Sequence, residues 1–283
     1  MKTWFWILGW FLSIFTVVGN GFVIFVVCRN RSLRTKTNAF VVSLAVADFF
    51  VGLSAVPSLF FCEIASGCDS QGLLSDGIDY IRWLFGYASM GNLCSLVLDR
   101  YMAIAKPLQY LLFMKRRRVI QIICLSWLIP VTLVVLFSSL WHGLKMPRLI
   151  TVLSGWLTLI FQFLACAIVI FCFAVMLCVV YNQAQSARTL AKQLRFNHGV
   201  LLKTHDKSAI LMMGIIIGLF LLCNGIFFRC SFVLILKDHE PCNDLLYKVP
   251  LIVLNSAVNP IAYAVFKRDI KKEFKRKLYF VMP

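Results

Sequence analysis

The chain predicts an all-α membrane protein, a seven-transmembrane helix bundle with a short C-terminal amphipathic helix, on three observations. Apolar stretches long enough to cross about 30 Å of hydrocarbon recur along the sequence. Of its 283 residues 60% are hydrophobic and 14% charged, with a mean hydropathy of +0.83, more apolar surface than a soluble globule can hide. The lysines and arginines behind the net charge of +17 lie between the apolar runs, alternately dense and sparse, as the positive-inside bias requires. That distribution assigns the charge to the cytoplasmic face and gives no reason to invoke nucleic acid.

The first span, about residues 3–28, follows a single Lys2 and precedes Arg29, Arg31, Arg34 and Lys36. It exceeds a signal-peptide core and its heavier basic flank is C-terminal, so it reads as a retained helix with the N-terminus outside. The second, about 38–64, holds Asp48 at its middle. The third, about 77–106, carries Asp99 and Arg100, and the run Lys115 to Arg118 marks its exit as cytoplasmic. The fourth, about 119–140, contains Trp127 and Pro130. The fifth, about 149–181, has no proline, and a polar connection leads to the sixth, about 207–236. The seventh, about 245–266, holds Asn255, Asn259 and Pro260. These spans form one membrane domain over 1–266. Residues 267–283 read as a cytoplasmic amphipathic helix and tail: Phe266, Ile270, Phe274 and Leu278 recur every four residues among lysines and arginines, a pattern suited to an anionic lipid surface. No extramembrane segment is large enough for an enzyme. Mid-span cysteines such as Cys94, Cys124, Cys166, Cys172 and Cys178 serve as small apolar residues. Only Cys62, Cys68, Cys230 and Cys242 lie where oxidation outside the cell is open to them, and Cys62 with Cys68 is one local pairing.

Asp99-Arg100-Tyr101 organises the chain. A charge at the edge of the hydrocarbon costs a few kcal/mol unless it is paired or faces a cavity. Stepping back from Arg100 by four, three and four residues gives Leu96, Leu93 and Ser89, one helical face directed to a bundle axis. The alternative is an arginine that snorkels to the headgroups.

Together with Asn20, the Leu44-Ala45-Val46-Ala47-Asp48 stretch, Trp127 with Pro130, Phe220 with Cys223, and Asn259-Pro260-Ile261-Ala262-Tyr263, this motif resembles the rhodopsin-like, class A, G-protein-coupled receptors over almost the whole chain. The resemblance implies a plasma-membrane receptor that couples an extracellular ligand, peptide or small molecule, to heterotrimeric G proteins by outward movement of helix six. It implies that Arg100 pairs with Asp99 at rest, and with Asp206 at the foot of helix six, although Asp206 also reads as a solvated loop charge. On activation Tyr181 and Tyr263 turn in beside Arg100, and Leu108 docks in a Gα pocket. It assigns Asp48, Ser89, Asn255, Ser256 and Asn259 to a polar pocket holding a sodium ion as allosteric modulator, with no other cofactor. A protonated Asp48 bonded within a network including Asn20 is the competing reading. Asn92, Ser43 and Trp127 are expected to form a structural contact between helices two, three and four.

The departures are as informative. Helix six reads Cys223-Asn224-Gly225-Ile226, without the usual tryptophan and proline, and a kink is left to Gly225. The outer end of helix three and the following outer loop lack the usual cysteine pair. With the proline-free fifth helix and the Leu108-Gln109-Tyr110 segment, these absences resemble the melanocortin branch, within its grouping with adenosine and cannabinoid receptors. Aminergic receptors resemble one another in a helix-three aspartate whose place is taken by Arg82, and the opsin lysine is replaced by Val253. Asp79, Arg82 and Asn224 are the ligand-binding candidates, and Asp79 with Asp76 and Glu63 also reads as ordinary helix-end charge. A seven-helix pseudo-receptor acting in trafficking or dimerisation is the alternative function. The stretch 267–283 has no serine, threonine or cysteine, which predicts weak arrestin recruitment.

Overall fold

The computed structural model describes residues 3–64, 73–143, 147–193, 204–236, 245–267 and 270–271. Among these, seven long helices follow in order: Thr3–Arg29, Lys36–Ile64, Leu73–Ala105, Arg116–Gly143, Pro147–Gln193, Thr204–Leu236 and Leu245–Phe266. Every predicted span is present, with ends shifted by a few residues except at the fifth. That helix runs past Tyr181 to Gln193, because the connecting residues 182–193 are mostly alanine, glutamine, lysine and leucine, all good helix formers. The segment after the third helix, expected as a loop, is a seven-residue helix, Pro107–Phe113. Pro107 takes the first helical position, where its missing N–H costs nothing.

The helices bury one stripe and leave an apolar back. In the first, Phe5, Leu12, Thr16, Asn20, Val23 and Val27 are buried at three-, four- and seven-residue steps. Ile7, Phe11, Ile14 and Val18 on the opposite face are more than half exposed. Such a surface is tolerable only against lipid tails. The first, second, fourth and fifth helices each contain a stretch apolar enough to cross a bilayer. The sixth and seventh have shorter ones, Ile210–Ile226 and Val249–Val265.

The third helix is central, packing against the second, fourth and fifth, while the first packs on the second and seventh. Two close approaches need glycine. A Cβ on Gly52 would stand 2.9 Å from Val17 Cγ2 and 3.1 Å from the Ser13 carbonyl oxygen, and one on Gly91 would stand 3.1 Å from the Ser126 carbonyl oxygen. The predicted contact of helices two, three and four is present: Trp127 Nε1 donates to Ser43 Oγ at 3.0 Å, and Ser43 donates to Asn92 Oδ1 at 2.6 Å. The sixth helix runs unbroken through Asn224 and Gly225. After Phe266 the chain turns, the Lys271 N–H bonding the Lys267 carbonyl at 2.8 Å. Ile270 is fully buried in the inner core, so this position of the predicted interfacial helix faces the bundle rather than lipid. Residues 272–283 lie outside the described residues.

Candidate functional site

Three polar assemblies lie along the bundle, and the innermost centres on Asp99. Its carboxylate is wholly buried and accepts from Arg100 Nη2 at 2.8 Å, Arg100 Nε at 3.2 Å, Thr37 Oγ1 at 3.0 Å and the Tyr110 hydroxyl at 3.0 Å. Arg100 also donates to Thr37 Oγ1. A buried carboxylate is costly unless its lone pairs are filled by a cation and further donors, and here both conditions are met. Arg100 therefore pairs inside the bundle and does not simply snorkel to the headgroups. Burial, reinforced by the adjacent Asp99 carboxylate, pushes the Tyr110 phenol above its ordinary value of 10.0, so it stays a neutral donor. Sequence reasoning missed Thr37 and gave Tyr110 no role, because neither belongs to the Asp-Arg-Tyr motif and both reach it only through packing.

The other expected coupling residues are dispersed. Leu108 stands on the short helix with 80% of its surface exposed, and Tyr181 is 68% exposed, turned away from the axis. Tyr101 is partly buried beside Phe171. Tyr263 is fully buried, and its hydroxyl has no hydrogen-bond partner. The Asp206 side chain lies outside the described residues, as do those of Glu63, Asp76, Cys62, Cys68, Cys230 and Cys242.

The second assembly surrounds Asp48, also fully buried. Ser89 Oγ donates to its Oδ1 at 2.6 Å and Asn259 Nδ2 to its Oδ2 at 2.7 Å, which ties helices two, three and seven together. Pro260, next to Asn259, is buried against Gly19 of the first helix. Asn20, expected in one reading to share the Asp48 network, instead donates to the carbonyls of Thr16 at 3.0 Å and Ser256 at 3.2 Å. The Oδ1 atoms of Asn20 and Asn259 are buried without a partner. Asn259 Oδ1 is the orphaned acceptor on an amide that meets the Asp48 carboxylate, which the Ser89 hydroxyl also meets, and carboxylate, hydroxyl and amide oxygens are the donors a hard cation takes, so Asp48, Ser89 and Asn259 fit a sodium ion.

The third assembly is an outer cavity of about 180 Å³. It brings together all three ligand-binding candidates: Asp79 and Arg82, ion-paired one turn apart on the third helix, and Asn224 of the sixth. Asn224 is buried and donates its Nδ2 to the Phe220 carbonyl at 2.8 Å. Ser89, Asn255 and Ser256 also line this cavity, so its wall runs into the Asp48 assembly. Gln162 of the fifth helix lines it too, 3% exposed, with Oε1 unpartnered. Sequence reading missed Gln162; it is the one amide side chain in the span of residues 149–181, and that was the available signal.

A family model described as the 7 transmembrane receptor (rhodopsin family) matches residues 19–263. The chain belongs to that family. It is thus a multi-pass membrane receptor rather than an enzyme, in a family that couples to heterotrimeric G proteins. The octopamine receptor beta-2R of Chilo suppressalis is 28% identical over 94% of this chain and 77% of its own length. Trace amine-associated receptor 5 of Pan troglodytes is 30% identical over 93% and 82%. The histamine H2 receptor of Homo sapiens is 27% identical over 94% and 76%. These relatives correct the expected melanocortin, adenosine and cannabinoid grouping. That expectation rested on missing cysteines, a missing proline and the three-residue Leu108-Gln109-Tyr110 segment; a loss carries no branch signature because any lineage can undergo it, and three residues are too few to outweigh similarity along more than nine-tenths of the chain.

Proposed function

We propose that this chain is a plasma-membrane receptor, N-terminus outside and C-terminus cytoplasmic, that passes ligand binding in the outer cavity to a heterotrimeric G protein by outward movement of the sixth helix. One observation carries the reading: the cavity and the Arg100 network sit on the same third helix, and polar contacts lead from the cavity wall as far as Asn259 of the seventh helix. Ser89 in the cavity wall holds Asp48, Asp48 holds Asn259, and Asn259 opens the Asn-Pro turn that ends at Tyr263. The Asp99–Arg100 pair is the resting arrangement. Activation frees Arg100 for the C-terminus of Gα, with Tyr101, Tyr181, Tyr263 and Leu108 around it, Asp206 as the second resting partner and Pro260 allowing the seventh helix to bend. A sodium ion bound by Asp48, Ser89, Asn255, Ser256 and Asn259 modulates the switch, and the basic tail rests on anionic lipid.

The relatives' names point to amines, but Arg82 stands where aminergic receptors carry an aspartate, so a simple amine meets like charge there. Asn224 in place of the usual tryptophan, in a sixth helix without proline among its described residues, favours a second reading, a pseudo-receptor that traffics or dimerises without signalling. Nucleotide exchange on a panel of purified Gα subunits, with wild type and Arg100→Ala at matched surface levels, separates the two. Exchange by wild type that Arg100→Ala loses supports the receptor. Equal exchange refutes the role of Arg100, and no exchange from surface-expressed wild type across a ligand library leaves the pseudo-receptor.

A further inference from the structure

We infer that the outer cavity takes a small zwitterion of the aromatic amino-acid class, its carboxylate on Arg82, its ammonium on Asp79 and a hydrogen-bond donor on its ring at Gln162. The inference rests on the reading of this cavity as the ligand site and adds the ligand's chemistry.

Among the described residues, the charges on the cavity wall are Asp79 and Arg82, paired with each other. The described part of the wall is therefore neutral in sum. Arg82 is the deeper partner, its side chain 14% exposed, and Asp79 is the outer one at 55%. A cation entering alone meets the Arg82 guanidinium. An anion entering alone must strip Asp79 from Arg82 and leave that carboxylate without a partner. A molecule with carboxylate and ammonium on one carbon exchanges one ion pair for two, and its charges are as close together as side chains one helical turn apart. The net charge of the site is unchanged.

Two further observations define the rest of the molecule. Gln162 lines the cavity and its Oε1 is buried without a partner, whereas the hydroxyl of Tyr87, also on the wall, is satisfied by Thr158 Oγ1 at 3.0 Å. An orphaned acceptor in a ligand cavity calls for a donor on the ligand. The wall that holds Gln162 and the ion pair also carries aromatic rings: Trp83 and Tyr87, stacked at 5.6 Å with 24° between their planes, and Phe220. At about 180 Å³ the cavity is smaller than the roughly 300–1,000 Å³ of drug-sized sites, so a single amino-acid-sized molecule fits it and a folded peptide does not.

The test is thermal stabilisation of the purified full chain in lipid nanodiscs by four probes: L-tyrosine, tyramine, 3-(4-hydroxyphenyl)propionate and L-phenylalanine. L-Tyrosine should raise the melting temperature in a saturable way, at concentrations more than about tenfold below any of the other three. Arg82→Met should lose that response. Gln162→Leu, which leaves both charges in place, should bind L-tyrosine and L-phenylalanine alike, and it keeps the test meaningful should Arg82→Met fold poorly. Tyramine acting as well as L-tyrosine, a response that survives Arg82→Met, or no response to any probe would overturn the inference. G-protein exchange is read separately: stabilisation by L-tyrosine without any effect on exchange leaves the ligand class standing and counts against the receptor reading.

Discussion

Asp99→Asn should raise basal signalling, and the structure sets the size of the effect. The carboxylate is wholly buried and receives Arg100 Nη2 at 2.8 Å, while the arginine side chain is 21% exposed. Two opposite charges at 4 Å attract by about 4 kcal/mol at an effective dielectric of 20, and this pair is closer. Asparagine keeps the shape and one carbonyl acceptor for Thr37, Tyr110 and Arg100, and solvent at the guanidinium screens part of the charge, so the loss is about 1.5–3 kcal/mol. If the pair forms only at rest, that loss shifts the resting-to-active equilibrium by roughly ten- to a hundredfold. From an active fraction of about 1%, basal exchange should rise to between roughly a tenth and a half of its ceiling. The assay is ligand-free nucleotide exchange on Gα, normalised to surface receptor, with Arg100→Ala as the opposite control. Unchanged or lower basal exchange from Asp99→Asn at normal surface levels would show that the pair does not hold the resting state.

Other consequences follow from the same contacts. Replacing potassium by sodium should raise the melting temperature of the purified wild type but not of Asp48→Asn; equal shifts in both would remove the ion from the Asp48 assembly. Because the Tyr110 phenol lies above its ordinary 10.0, its contribution is fully present below that value and is lost only as pH rises through the higher folded one. Basal exchange should then be flat between about pH 6 and 9 apart from changes shared by Tyr110→Phe, and a fall in that window seen only in wild type would contradict the assignment. Gly52→Ala forces its Cβ against Val17 and the Ser13 carbonyl and should cost about 1–3 kcal/mol of thermal stability. Gly218→Ala meets nothing within 4 Å and should be neutral or gain up to about 1 kcal/mol. Equal melting shifts for the two glycines would refute the close approach of the first two helices.

The sequence by itself determined the class of fold, the order of the helices and the family, because each follows from local features: apolar length, the placement of lysine and arginine, and motifs such as Asp99-Arg100-Tyr101 and Asn259-Pro260. It also placed Ser43, Asn92 and Trp127 in one contact, and it singled out Asp79, Arg82 and Asn224 as ligand-binding candidates. Tertiary structure decided who bonds to whom. Thr37 and Tyr110 close the Asp99 network from 62 and 11 residues away, and such partnerships depend on helix rotation and crossing that no periodicity encodes. Asn20 turns to Ser256 rather than Asp48 because the first helix packs against the seventh at that depth. The segment after Ala105 folds as a helix because Pro107 starts one and the Tyr110 side chain anchors it to Asp99. Gln162 becomes conspicuous only when the fifth helix turns it into the cavity and leaves its oxygen without a donor. Residue types report which groups must be satisfied inside a membrane, and only the packed bundle decides which neighbour satisfies them and which group is left over for a ligand.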